Sequence, residues 1–212
     1  MEQQEFENES KYLKKVLKEL KSQKLHALEQ LKSLEVQKTQ LSKQYADDYY
    51  EMDDEEALTE GARLAEFDNL IDFTSQKIDR LRRQEYSPYF GRIDFVQQGK
   101  RKQNSYYIGV NNLVKNGEMP LVCDWRAPVS SLFYDYELGR AEYIAPQGKV
   151  EGEIKLKRQY QVKDGKLLSA FNSSLTIGDD ILKSVLSGNA TNKMKTIVST
   201  IQKEQNKIIR KK

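Results

Sequence analysis

The sequence predicts an α+β protein in which a long antiparallel helical coiled-coil hairpin is followed by a small, mostly antiparallel β-rich domain with C-terminal helices. Three observations predict it. Residues 1–85 contain no proline and a single glycine, Gly61, whereas all four prolines and the other ten glycines come later. Apolar residues recur every three to four positions before residue 85, and short β-branched and aromatic runs separated by turn residues follow it. A length of 212 residues allows one or two folding units with a real core. The boundaries expected are 1–85 for the hairpin, 86–175 for the β-rich domain and 176–212 for the C-terminal helices.

Alternate steps of four and three from Phe6 reach Ser10, Leu13, Leu17, Leu20, Lys24, Ala27, Leu31, Leu34, Lys38, Leu41 and Tyr45. A mostly apolar set sustained over this many heptads is a coiled-coil seam. Strong helix formers fill the other faces, so a helix of about 40 residues, roughly 60 Å long, is expected. A second, shorter seam runs through Ala57, Glu60, Leu64, Phe67, Ile71, Thr74, Ile78 and Leu81. Each stripe is too narrow to stand alone, and the nearest partner for each is the other helix folded back after a short turn.

That turn, residues 46–56, reads ADDYYEMDDEE and crowds together Asp47, Asp48, Glu51, Asp53, Asp54, Glu55 and Glu56. Acids at the start of the second helix favour it through the helix dipole, which is one sufficient reading. The other is an exposed acidic probe, able to meet a basic channel or to share a Mg²⁺ ion held elsewhere, since hard cations take oxygen ligands. His26 has neither a cysteine nor a second histidine to complete a metal set, and reads as a surface residue; no metal site is expected.

From Tyr86 the chain reads as strands: YFGRIDFV, NSYYIGVNNLV, MPLVCDWRAPVSSLFYDYE, RAEYIAP, GEIKLKRQYQV and KLLSAF. Asn116-Gly117 and Asp164-Gly165 are the best hairpin turns. Ile154, Leu156, Arg158, Tyr160 and Val162 alternate with Lys155, Lys157, Gln159 and Gln161, as in a sheet with one solvated face. Asp124-Trp125-Arg126-Ala127-Pro128 sets the lone tryptophan between an acid and an arginine, an arrangement suited to anchoring a sheet. No nucleophile with a base at readable spacing accompanies it, so no catalytic residue is expected. The basic run Lys100-Arg101-Lys102 fits a phosphate contact or a polar hairpin loop equally.

After Asn172, Asp179 is a plausible cap for a helix carrying Ile181, Leu182, Val185 and Leu186, and a last helix runs from about Lys193. It reaches Lys212 with no glycine or proline behind it, as a truncated protein would. Lys and Arg total 35 against 32 acids, so partners must be read from charge distribution rather than from the total. One cysteine, Cys123, in an apolar run suits a reducing cytosol. With no signal peptide and no long apolar stretch, a cytoplasmic protein without a membrane partner is expected.

KTIVSTIQKEQNKIIR resembles the Q motif of HelD-type, UvrD/Rep-like superfamily-one helicases, in which a glutamine ahead of the phosphate-binding loop recognises adenine. Gln205 matches that glutamine, framed by Ile201, Ile208 and Ile209, and a primary amide can pair with adenine as donor and acceptor. SPYFGRIDF, LVCDWRAPVSSLFY and EGEIKLKRQY resemble the region before the motor in the same family, as does the helical hairpin. Asp124, Trp125, Arg126 and Pro128 are the family-motif residues on this reading, with a structural role.

The resemblance implies the N-terminal region of an ATP-dependent, helicase IV-like DNA helicase that binds bacterial RNA polymerase. In that family the coiled coil enters the polymerase secondary channel, and the motor helps release the enzyme from nucleic acid. The carboxylates at 46–56 would then be the tip facing the polymerase interior. G-x-x-x-x-G-K-[ST] occurs nowhere in the sequence, so this chain is expected to hydrolyse no ATP and to hold no cofactor. ATP and Mg²⁺ would belong to the parent protein, as would DNA, with the C-terminal ATPase motor of the same parent chain as a further partner. Two alternatives stay open: a nucleic-acid-binding accessory domain of a DNA repair helicase, and a structural coiled coil that dimerises.

Overall fold

The structure, a computed structural model, describes residues 3–115 and 117–172. The expectations for Asn116, for the helices of 176–212 and for Gln205 lie outside the described residues. Two long helices, α1 (Gln3–Asp48) and α2 (Asp54–Tyr86), come first. They are followed by strands β1 (Gly91–Gln97), β2 (Gln103–Gly109) and β3 (Cys123–Asp124), the short helix α3 (Ser131–Asp135), and strands β4 (Gly139–Ala145), β5 (Gly148–Lys163) and β6 (Lys166–Asn172). The architecture is α+β. The chain divides into two units, one of residues 14–87 and one of residues 1–13 with 88–212.

In the unit of residues 14–87, α1 and α2 run antiparallel. Lys24 Nζ reaches Glu85 Oε2 at 2.5 Å and Lys38 pairs with Asp68, so the index rises along one helix as it falls along the other. The expected seam positions from Leu17 to Tyr45 and from Ala57 to Leu81 are all buried or half-buried, while the charged residues between them are largely exposed. Val16, off the expected seam, is fully buried.

The other unit is built on a sheet in the order β3-β2-β1-β5-β4, with β6 also paired to β5. All pairings are antiparallel except β2 with β3. Because side chains alternate along a strand, the sheet has two distinct faces. Ile93, Phe95, Ile108, Ala141 and Ile154 pack with Leu132, Phe133 and Tyr134 of α3 into the apolar core. Backbone and ring approach closely there: a Cβ on Gly152 would lie 2.4 Å from Phe95 Cζ, and one on Gly91 would lie 2.7 Å from Phe133 Cε2. Arg92, Asp94, Tyr107 and Arg158 belong to the opposite face, where they meet Glu9 and Tyr12 of α1.

Two readings of the β region are corrected. The stretch 119–137 is not one strand: Val122 makes a single antiparallel bridge to Leu113 and only Cys123 and Asp124 form a strand before the chain turns through a 3-10 turn at Pro128–Ser130 into α3. Pro128 cannot donate to a ladder, and Ser130 Oγ donates to the Asp124 carbonyl at 2.7 Å, closing the turn locally. Lys157 is not on a solvated face. The register shifts where Asp94 faces Leu156 and Phe95 faces Ile154, and such a bulge reverses the alternation. Lys157 is therefore buried, with Nζ donating to the Tyr136 carbonyl at 2.9 Å and lying 5.5 Å from the Phe133 ring centre. Asp164 and Gly165 do form the tight β5–β6 turn, with φ of 51° and 65°, as that dipeptide suits.

Candidate functional site

The turn between the long helices is held by its own backbone, Glu51 N donating to the Asp48 carbonyl at 2.9 Å and Met52 N to the same oxygen at 3.2 Å. Asp53 caps α2: its Oδ1 accepts from Glu55 N at 3.0 Å and from Glu56 N at 2.9 Å, while Glu56 Oε2 accepts from Asp53 N at 3.3 Å. This reciprocal capping box satisfies amides that the helix start leaves open. Asp53 and Glu56 thus have a structural task. Asp47, Asp48, Glu51, Asp54 and Glu55 are exposed, as are the two capping acids. Tyr45, Tyr49 and Tyr50 stack edge to face in sequence, with centroids 5.5 and 5.8 Å apart, and Tyr50 is 94% exposed. Among the described residues no group of three or more His, Cys, Asp or Glu side chains is placed to hold a metal ion.

Asp124, Trp125, Arg126 and Pro128 are brought together in one compact turn. Asp124 Oδ1 accepts from Arg126 N and Nε, both at 2.8 Å, and Oδ2 accepts from Arg126 Nη2 at 2.7 Å. Burial pushes the Asp124 carboxyl up, but the Arg126 hydrogen bonds and charge outweigh it and hold it below its ordinary value. The Arg126 guanidinium lies 5.8 Å from the Trp125 ring centre, and Trp125 N donates to the Gly109 carbonyl at 2.9 Å. Trp125 is half-buried against the apolar core, and Pro128 opens the 3-10 turn. Each acid and base here is matched within the turn.

Sequence reasoning missed the most elaborate polar cluster. Glu9, 2% exposed, accepts from Arg92 Nη1 at 2.6 Å, Arg158 Nη1 at 3.0 Å and the Tyr107 hydroxyl at 2.9 Å. Arg92 also grips Asp94 with both ends of its fork, at 2.7 and 2.8 Å, and Gln103 Nε2 donates to Asp94 at 2.9 Å. Arg158 reaches Asn172 Oδ1 at 2.8 Å and Glu5 Oε2 at 3.2 Å. Two cations thus face two buried carboxylates, with Glu5 at the rim, which is the condition for burying charge at all. Tyr12 stacks on Tyr107 with centroids 3.8 Å apart and donates to the Leu121 carbonyl at 2.7 Å. Burial, with the Glu9 charge adding to it, pushes the Tyr89, Tyr107 and Tyr160 phenols up, and burial raises Tyr12 to about 12. None of these phenols would exchange a proton near neutral pH, so the cluster is a clamp rather than an acid–base centre.

The one signal that could have found it was Arg158 within the inward set of β5, a charge among apolar neighbours that called for a buried acid. Cys123 is buried, and burial raises its thiol to about 11, leaving it unreactive. His26 is exposed. No helix among the described residues is long and apolar enough to cross a membrane.

Two long helices joined by an acidic turn, followed by a sheet with one face clamped onto the start of the first helix, define the class as an α+β domain. A family model described as DNA helicase IV HelD, N-terminal domain, matches residues 6–185, and the chain belongs to that family. A search of curated proteins returns no match.

Proposed function

We propose that this chain is the polymerase-engaging region of a HelD-like helicase. The helices of residues 1–85 act as a coiled-coil hairpin, and its tip at 46–56 enters the secondary channel of bacterial RNA polymerase to help release or recycle the enzyme. Residues 86–175 form the β-rich domain that joins the hairpin to the motor. Residues 176–212 carry the Q motif, with Gln205 set to read adenine once the ATPase motor of the parent chain supplies the phosphate-binding loop. ATP and Mg²⁺ belong to that parent, in the cytoplasm.

The observation that carries this reading is the set of seven exposed carboxylates gathered on the turn between two long helices. A turn of this charge repels phosphates and suits a basic cavity, so the tip does not favour a DNA-reading hairpin. The test is competition between this chain and a Gre-type transcript-cleavage factor for core RNA polymerase. Replacing Asp47, Asp48, Glu51, Asp54 and Glu55 by Ala leaves the Asp53–Glu56 cap intact and is expected to weaken competition. Undiminished competition after reversal of the same five to Lys would reject the acidic probe.

A further inference from the structure

We propose that the side of α2 facing away from α1 is a self-association surface, on which α2 of a second copy of this chain packs antiparallel. The proposal does not rest on polymerase binding. At 3.6 residues per turn, Glu55, Leu58, Ala62, Asn69, Phe73 and Arg80 share an arc of about 80°, centred opposite the α2 seam. All six are exposed, Leu58 at 76% and Phe73 at 65%. Between Glu55 and Arg80 this arc carries no charge. An uncharged, partly apolar stripe with a spacing of three and four residues is the form a helix-pairing seam takes, and this one is open to water.

The stripe complements itself when reversed. In one antiparallel register, Arg80 of each copy is level with Glu55 of the other, Phe73 with Ala62, and Asn69 with Glu66 at the rim of the arc. These pairs set a base against an acid, a large side chain against a small one, and an amide donor beside a carboxylate. Each pair occurs twice about a two-fold axis, as an isologous dimer requires.

The helix dipole accounts for an acid at the start of α2 and a base near its end. It does not account for Leu58 and Phe73, which lie in water between them. Among the described residues neither the Glu55 nor the Arg80 side chain is in an ion pair, and Glu55 joins the α2 cap only through its backbone N–H. The occupant that fits is a second copy, because a single register supplies the acid, the base and the small residue together.

The experiment is sedimentation equilibrium of the full 212-residue chain over a range of concentrations, with circular dichroism to check that each variant keeps its helix content. The mass is expected to rise from one chain to two. Phe73→Glu should raise the dissociation constant by about tenfold or more, as loss of an aromatic anchor does. Val36→Glu, at a 50%-exposed position of α1, should leave it unchanged. Arg80→Glu and Glu55→Arg should each weaken the dimer, and the two together should restore it. Both changes oppose the helix dipole, so recovery in the double variant cannot come from helix stability. A mass of one chain at every concentration would give the face to another occupant and overturn the proposal. So would a dimer that Phe73→Glu leaves intact, one that Val36→Glu dissociates equally, or a double variant no tighter than either single one.

Discussion

Glu9 is the residue on which most of the buried polar interactions converge. Removing one partner of a buried ion pair leaves the other charge without compensation, at a cost of roughly 3–5 kcal/mol. Arg158, 3% exposed at its side chain, would be that stranded charge. Glu9→Gln and Glu9→Leu are both expected to lower the free energy of urea unfolding by about this amount, with Leu the worse because it removes every acceptor. Glu5→Gln, at the 46%-exposed rim of the same cluster, should cost less than about 1 kcal/mol. The tyrosines around Glu9 give a second measurement. Their folded-state pKa values lie above the ordinary 10, with Tyr12 at about 12, so the unfolded chain releases its phenol protons first. Their contribution is therefore complete below pH 10 and is lost as the pH climbs towards 12. Alkaline unfolding should coincide with phenolate absorbance, and independent early titration of these rings would contradict the clamp. Sequence reading passed over Glu9 because an acid among Glu2, Glu5 and Glu7 looks like a solvated helix start; only its pairing with Arg92 and Arg158, far along the chain, reveals it.

The long helices were the most legible elements, since a repeat of three to four residues is written directly into the chain and depends on no distant partner. The protected positions of α1 and α2 follow that repeat closely. The sheet was legible in its strands and less so in its detail. The bulge in β5 that turns Lys157 inward arises from pairing with β1, and nothing local announces it. The tip was legible as a charge cluster, but the division of labour inside it came from geometry. Asp53 caps α2, so Asp53→Ala should destabilise the chain by about 1 kcal/mol. Asp47→Ala and Asp48→Ala fall at the other end of the turn, in the last turn of α1, where negative charge opposes the helix dipole. They should leave thermal stability unchanged or slightly raised. Thermal melts of the three single variants separate the capping role from any role in partner binding, and equal losses in all three would refute the assignment.

Chain order and folding units do not coincide in this molecule. Residues 1–13 open α1, yet they belong with residues 88–212 rather than with the rest of their own helix. They bring Glu9, Tyr12 and Leu13, all wholly or partly buried, to the sheet unit. Without them Arg92 is left with one carboxylate in place of two, Arg158 is deprived of Glu5 and Glu9 together, and the Tyr107 ring has no stacking partner from α1. The cost of one stranded buried charge is already about 3–5 kcal/mol, against the roughly 5–15 kcal/mol by which a whole domain is stable. A chain beginning at Lys14 is therefore expected to lose cooperative unfolding of its sheet while keeping much of the helical signal of residues 14–87. Near-ultraviolet circular dichroism of Trp125 and the core tyrosines would report the first change, and far-ultraviolet circular dichroism the second. A synthetic peptide of residues 1–24 added to the shortened chain should restore the near-ultraviolet signal, whereas the same peptide with Glu9→Leu should not. Retention of a cooperative sheet transition by the shortened chain would show that the start of α1 is an ornament of the fold and not part of its core.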